Sequence, residues 1–335
     1  MSSFFILSIL FNFLLSIFYN KDISENNFII NAIDENMSPS SFIRPVISEN
    51  GYLYIVTGED NNNYNNRYIL KFSIYSGDLI NEIKYNINYG FWRGEVIVAG
   101  DNSEKLIITT FDDENFEKRT FEVYDMQKNN FSTSIFKVYG YRRTLKKVGS
   151  YIYYAYLEPN NRKILYIDKI KLINNSPYFQ IVKQSPHNIE FVTYQSMISC
   201  DFTEDNKYML CAYFNQNNKF SIVIFNSELE YISKKEFEDC SNDLEDAFIK
   251  IIYFKDNSKF IIMYTINKFT VRIRFVNYIN NQLNNLFSPM FNNSEYLELN
   301  DTQDDKHDGL NDMIKFDSNK IIKIYTGTNE IILTV

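Results

Sequence analysis

The sequence predicts an all-β fold built from repeated four-stranded units. Aromatic residues make up 17% of the 335 residues, and Phe, Tyr and Ile are abundant, which favours strands. Turn-like segments rich in Asn, Asp, Ser and Gly recur roughly every fifty residues, and each is followed at once by an apolar strand. Strand-only units at this period are typical of propellers, so we predict a six-bladed β-propeller of four-stranded blades.

The repeated unit is clearest between Ser199 and Phe214. Apolar residues there alternate with small or polar residues on both sides of a polar turn at 203–207, which is typical of a β-hairpin. Equivalent turns lie at 48–51, 100–103, 148–150, 255–258 and 316–319. The apolar strands that follow these turns begin at Tyr52, Lys105, Tyr151, Phe260 and Ile321.

A second pair of strands lies between successive hairpins and brings each unit to four strands. The clearest pair is 67–75 with 79–85, separated by the turn Ser76-Gly77-Asp78. The corresponding pairs are predicted at 119–124 with 131–138, 164–167 with 178–182, 220–225 with 229–237, and 269–275 with 283–287.

The last unit lacks its outer strand, because only segments 312–316, 320–325 and 330–335 remain before the sequence ends. An open sheet edge is an aggregation hazard. The apolar segment 27–33 is otherwise unassigned and has a suitable length. We therefore predict that it pairs with 330–335 and closes the last blade of a single propeller domain spanning 21–335.

Two segments, Asn50-Gly-Tyr-Leu-Tyr-Ile-Val56 and Leu70-Lys-Phe-Ser-Ile-Tyr-Ser-Gly-Asp78, resemble repeats of the β-propeller superfamily, especially the WD-repeat and YVTN type. The resemblance covers the pattern of most of residues 27–335. The Gly-His and Trp-Asp signatures of true WD repeats are missing, and Trp92 is not at the signature position. The resemblance implies propeller architecture and transfers no functional residue.

The N-terminal segment predicts entry into the secretory pathway. The run from Phe4 to Tyr19 consists mainly of Phe, Ile and Leu, and it is shorter than the roughly 20 residues of a membrane span. No basic residue precedes it, and no Ala-x-Ala site follows it. We interpret residues 1–20 as a signal peptide; an uncleaved anchor and a buried strand or helix are the alternatives.

The cysteines and the glycosylation triplets are consistent with secretion. Cys200 and Cys211 fall opposite each other if the hairpin turn centres between residues 205 and 206, so we favour a disulfide between them. The rival pairing is Cys211 with Cys240, and three reduced cysteines are the alternative for a cytosolic chain. Candidate N-glycosylation sites are Asn130, Asn292 and Asn300, whereas Asn36 and Asn174 are poorer because Pro39 and Pro177 follow.

The charge of the chain indicates which partners to expect. A net charge of −8 and a pI near 5.0 argue against a general nucleic-acid or anionic-membrane binder, which needs a cationic surface. Membrane contact is expected only through an uncleaved N-terminal segment. The expected partner is an extracellular protein or glycan, and an acidic surface favours a cationic one.

We define the loop face as the end of each sheet where its second strand connects to its third and where the chain passes to the next sheet. The predicted loops there are mostly acidic, with a basic stretch at 141–147 beside them. Residues predicted to contact a ligand are Asp112, Asp113, Glu114, Arg142, Arg143, Glu158, Asp243 and Asp246. The sequence thus predicts a secreted or cell-surface binding module.

A weak, irregular calcium site is the only cofactor site suggested by the sequence. Its candidate ligands are Asp301, Asp304, Asp305 and Asp308, in the longest predicted loop. An EF-hand is excluded, because Lys306 and Lys315 occupy its third and twelfth positions.

An enzyme is not favoured by the sequence. His187 and His307 are predicted to lie in loops, and no catalytic motif accompanies either. An extracellular hydrolase or lyase that uses carboxylates is the alternative function. A structural subunit linked to another chain through Cys240 is a third hypothesis.

Overall fold

The computed structural model is all-β throughout the part of the chain that it describes. The described residues are 27–31, 44–48, 50–56, 66–73, 76, 78–86, 96–99, 105–112, 115–131, 136–139, 141–158, 163–173, 179–189, 198–203, 205–215, 217–240, 249–254, 259–267, 270–279, 282–285, 296–300, 307–315, 321–327 and 330–334. None of these residues belongs to a helix long and apolar enough to cross a membrane.

The strands form antiparallel sheets, in each of which at least three consecutive strands along the chain are neighbours in order. The first strand, β1 (Asn27–Asn31), belongs to the last sheet. Sheet 1 contains β2 (Arg44–Ile47), β3 (Tyr52–Val56), β4 (Asn66–Ser73) and β5 (Leu79–Asn86). Sheet 2 contains β6 (Val96–Ala99), β7 (Lys105–Asp112), β8 (Asn115–Asp125), β9 (Asn130–Phe131) and β10 (Phe136–Tyr139). Sheet 3 contains β11 (Tyr141–Val148), β12 (Tyr151–Leu157), β13 (Ile164–Leu172) and β14 (Phe179–Asn188).

The remaining sheets continue the same plan. Sheet 4 contains β15 (Ser199–Phe202), β16 (Tyr208–Phe214), β17 (Lys219–Asn226) and β18 (Tyr231–Cys240). Sheet 5 contains β19 (Ile249–Phe254), β20 (Lys259–Asn267), β21 (Thr270–Ile279), β22 (Gln282–Asn285) and β23 (Tyr296–Asn300). Sheet 6 contains β24 (His307–Lys315), β25 (Ile321–Gly327), β26 (Glu330–Thr334) and β1 (Asn27–Asn31).

Sheet 6 combines the beginning and the end of the described chain. Strand β1 runs antiparallel to β26, with Phe28 opposite Leu333 and Ile30 opposite Ile331. The predicted pairing of 27–33 with 330–335 is therefore confirmed.

The first strands of successive sheets lie side by side. Cα atoms approach within 8 Å between β2 and β6, β6 and β11, β11 and β15, β15 and β19, and β19 and β24. Strand β24 also lies within this distance of β2. The first strands therefore form a closed cycle of neighbours.

The hydrophobic core lies between successive sheets. One cluster combines residues of sheets 3 and 4, including Tyr153 and Phe225, and another combines residues of sheets 4 and 5, including Phe220 and Tyr264. Phe220 and Tyr264 stack with ring centroids 4.5 Å apart. Core clusters cover both faces of sheets 2, 3 and 4, so their second strands are mostly apolar. In β16, every residue after Tyr208 is buried.

The turns between first and second strands use positive φ at equivalent places. Gly51 has φ 76°, Gly149 has φ 57° and Asn206 has φ 56° in sheets 1, 3 and 4. Glycine and asparagine tolerate this left-handed region better than other residues. In sheet 4, Thr203 Oγ1 also donates to Asp205 Oδ1 at 2.8 Å, which fixes the hairpin.

Several predicted boundaries are wrong because polar residues continue strands past the apolar pattern. Strands β13 and β14 extend to Leu172 and Asn188. The outer strand predicted at 131–138 is instead two short strands, β9 and β10, which both pair with β8. In sheet 5, β22 and β23 likewise share β21.

Candidate functional site

The loop face of sheets 2 and 3 carries four of the predicted ligand-contacting residues. Asp112 is the last residue of β7, and Glu158 directly follows β12. Both β7 and β12 are second strands, so these residues lie at the same end of neighbouring sheets. The Glu158 N–H donates to the Ile164 carbonyl at 3.0 Å, which closes the connection between β12 and β13.

Arg142 and Arg143 lie at this same end of sheet 3, within strand β11. Tyr141 is opposite Leu157 and Arg143 is opposite Tyr156, so the register shifts at Arg142. Such a β-bulge redirects side chains and is common beside functional sites. The structure therefore brings two arginines to the end of the sheet where Glu158 begins the next connection.

Most other predicted site residues fall outside the described part of the chain. These are Asp113, Glu114, Asp243, Asp246, Asp301, Asp304, Asp305 and Asn292. Asp308 lies in β24 and Asn300 ends β23, so neither belongs to a loop. Asn130 lies in β9 with an exposed side chain, as N-glycosylation requires. Among the described residues, no group of three or more His, Cys, Asp or Glu could hold a metal ion.

Both histidines lie in strands, which corrects their prediction as loop residues. His307 begins β24, and His187 lies near the end of β14. The His187 ring packs against Phe225 of sheet 4 with centroids 4.5 Å apart. Burial lowers the pKa of His187; a backbone hydrogen bond to Leu229 opposes this shift, and Lys183 adds to it. This histidine contributes to sheet packing.

A polar cluster that the sequence did not indicate lies near the loop face of sheet 4. The Glu236 carboxylate accepts from Asn215 Nδ2 at 2.9 Å and forms ion pairs with Lys219 at 3.4 Å and Lys234 at 3.5 Å. Asn215 Oδ1 accepts from the N–H groups of Asn217 and Lys219. The cluster therefore fixes the turn between β16 and β17 against β18.

A second unpredicted group links three neighbouring first strands. Lys146 of β11 pairs with Asp201 of β15 at 3.2 Å, and the other oxygen of Asp201 accepts from the Tyr253 N–H of β19 at 3.0 Å. Ser199 Oγ accepts from the Ile251 N–H at 3.1 Å. These side chains accept hydrogen bonds from backbone N–H groups on the inner edge of the next sheet. That edge has no further strand of the same sheet to pair with.

A third unpredicted group is buried within sheet 3. Asp168 is only 1% exposed, and hydrogen bonds join its carboxyl to Tyr156 and Gln184. Gln184 Nε2 also donates to Tyr156 Oη at 3.1 Å. Burial raises the pKa of Asp168 to about 6, although the two hydrogen bonds oppose the shift. Asp168 Oδ1 has no hydrogen-bond partner among the described residues.

Cys200 and Cys211 form a disulfide across β15 and β16. They are opposite each other in the register, with Cα atoms 4.1 Å apart, and both are fully buried. This is the pairing that the sequence favours. Cys240 is the last residue of β18, and its backbone lies opposite Lys219.

Comparisons with known structures identify the fold. The SapL1 lectin, solved in complex with alpha methyl fucoside, is similar with a TM-score of 0.53 and 7% identity, covering 90% of this chain and 97% of the lectin. A candidate 6-phosphogluconolactonase from Bacteroides uniformis is similar with a TM-score of 0.52 and 14% identity, covering 87% of this chain and 85% of that protein.

A third similar structure is the Dos1 propeller, with a TM-score of 0.51 and 9% identity, covering 88% of this chain and 68% of that one. No family model matches the sequence, and no curated protein matches it. At such low identities, structural similarity indicates a common fold and leaves function open.

Proposed function

Because the chain is a β-propeller with divergent repeats, we propose that it is a secreted or cell-surface module that binds a protein or glycan through its loop face. The observation that carries this proposal is the register of sheet 3. It places Arg142 and Arg143 at the same end as Glu158, with Asp112 at that end of sheet 2. Positive and negative residues thus lie at neighbouring ends of sheets 2 and 3, and such a surface can complement the charges of a polar ligand.

The number of blades is part of the proposal. The closed cycle of first-strand contacts and the pairing of β1 with β26 support a ring of six blades. The function requires this closure, because it holds the ends of successive sheets on one common face.

Secretion is supported by two observations. The buried Cys200–Cys211 disulfide suits an oxidising compartment, and the apolar run from Phe4 to Tyr19 suits a signal peptide. The signal segment lies outside the described residues.

A binding screen of the full chain tests the function. The chain would be applied to a glycan array and used to capture extracellular proteins, and each ligand would be retested with Glu158→Ala and with Arg142→Ala/Arg143→Ala. We expect about tenfold weaker binding for at least one variant and weaker binding at high salt. Lys128→Ala is the matched control, because Lys128 is exposed at the opposite end of sheet 2. Equal affinity for all variants would refute the loop-face assignment.

An extracellular hydrolase or lyase is the second candidate, supported by the fold similarity to a candidate 6-phosphogluconolactonase. Asp112 and Glu158 are the carboxylates that it would use at the loop face. Turnover of a lactone or glycoside that is lost in Asp112→Asn and Glu158→Gln would favour this candidate.

A further inference from the structure

Sheet 3 has a charge opposite to that of the whole chain. Residues 141–188 contain nine Lys or Arg and two Asp or Glu, a net charge of +7, whereas the chain has −8. The rest of the chain therefore has −15. One of the two acids, Asp168, is only 1% exposed, so it adds little to the surface charge.

The outer strand of this sheet, β14, has an edge that no described strand pairs with. Ile181 and Val182 are 41% and 50% exposed. Residues 180–184 are all exposed, so the usual alternation of buried and exposed side chains is interrupted there. A strand with an unpaired edge and exposed apolar side chains is a template for another strand.

Three lysines lie near this part of the edge. Lys183 lies on β14 opposite Lys169, and Lys171 of β13 lies opposite Gln180. Lysines often protect edge strands by projecting across them. The Lys183 ammonium instead donates to the Glu228 carbonyl of sheet 4, so it lies against the neighbouring sheet.

Strand β5 provides a comparison within the same molecule. Its Leu79 and Ile80 are also exposed, at 41% and 52%. Glu82 and Lys84 both lie within this strand, so its edge carries groups of both signs, whereas the charged residue of β14 is Lys183. The two edges therefore present similar apolar area with different charge.

We propose that the β14 edge binds an extended, acidic segment of a partner protein, in which acidic and β-branched residues alternate, by adding it as a further strand of sheet 3. Backbone hydrogen bonds of the added strand supply affinity, and alternate side chains supply specificity. The carboxylates of the partner face Lys171 of β13, and its apolar residues cover Ile181 and Val182. This site is separate from the loop face.

Fluorescence anisotropy with the full chain tests the proposal. The probe is a labelled ten-residue peptide of alternating Glu and Val, measured in 150 mM salt. A second peptide replaces two valines with proline, which cannot donate to a strand edge, and a third replaces every Glu with Lys. We expect the proline and lysine peptides to bind at least about tenfold more weakly than the Glu-Val peptide.

Variants then locate the site. Val182→Glu and Lys171→Glu should each weaken binding of the Glu-Val peptide about tenfold, whereas Ile80→Glu on β5 and Glu158→Gln on the loop face should leave it unchanged. Circular dichroism confirms that each variant folds. Equal binding of the proline peptide, or equal competition by heparin in wild type and Val182→Glu, would overturn the proposal in favour of general polyanion binding. If the loop-face variants bound every ligand of the screen as tightly as the wild type, the loop-face assignment would be refuted but this peptide-binding result would stand.

Discussion

Replacing Asp168 with Asn should make the stability of the protein less dependent on pH. Burial raises the pKa of this carboxyl from the ordinary 3.8 to about 6, so the folded state binds a proton more tightly than the unfolded chain. The contribution of Asp168 to stability is therefore least favourable above pH 6 and improves as the pH falls from 6 towards 3.8. The difference of about 2 in pKa corresponds to about 3 kcal/mol across this window.

Urea unfolding of the wild type and Asp168→Asn at pH 4.5 and pH 7.5 measures this effect. Asn keeps the size of the side chain and one acceptor for Tyr156 and Gln184. Asp168→Asn should therefore gain stability relative to the wild type at pH 7.5, and the gain should shrink by about 2 kcal/mol at pH 4.5. Asp78→Asn, at an exposed turn, is the control for general charge effects. A stability difference that is the same at both pH values would refute the reasoning.

Three further predictions concern the links between strands. Cys200→Ala/Cys211→Ala should lower the free energy of unfolding by about 3 kcal/mol, because the disulfide closes a loop between residues 11 apart in the sequence. A reducing agent should shift the urea unfolding of the wild type by a similar amount, and no shift in either experiment would contradict this prediction. Asp201→Ala should lower the free energy of unfolding, measured with urea, by about 1–3 kcal/mol, because it removes the carboxylate that accepts from the Tyr253 N–H. Asp201→Asn keeps an acceptor oxygen and should lower it less. Deletion of residues 27–31 should lower the calorimetric melting temperature by several degrees, and an unchanged value would argue against closure by β1.

The part of the fold that could be predicted from the sequence depends on local pattern. The hairpin around Cys200 and Cys211 has a marked turn and clear alternation, so its register followed directly. The pairing of β1 with β26 could be predicted because the last unit lacked an outer strand and the apolar segment 27–33 had no other assignment. In both cases, the information lies within short segments or in a simple count of strands.

The failures have a common physical origin in contacts between segments that are distant in the sequence. The strand predicted at 164–167 continues through Asp168, although this residue is acidic, because Tyr156 and Gln184 form hydrogen bonds with its carboxyl. His187 continues β14 because Phe225 covers its ring. No local signal indicates either partner, since both depend on how distant segments pack.

The Lys146–Asp201 pair shows the same limit for the candidate site. Asp201 lies in the predicted hairpin and Lys146 in the basic stretch at 141–147, but their separation in sequence conceals that β11 and β15 are neighbours. Arg142, Arg143 and Glu158 lie near connections between strands, which tend to be exposed and polar, so their positions could be inferred from the sequence although their role remains a proposal. Position along a strand was therefore easier to infer than pairing between sheets.

The pairing of β1 with β26 has a consequence for biosynthesis. Strand β1 leaves the ribosome long before β26, so it has no strand to pair with until β26 has also emerged. Its apolar residues must stay unpaired while the strands between them are made, which exposes the nascent chain to aggregation. A circular permutant that joins the two termini and opens the chain between two other sheets would remove this delay.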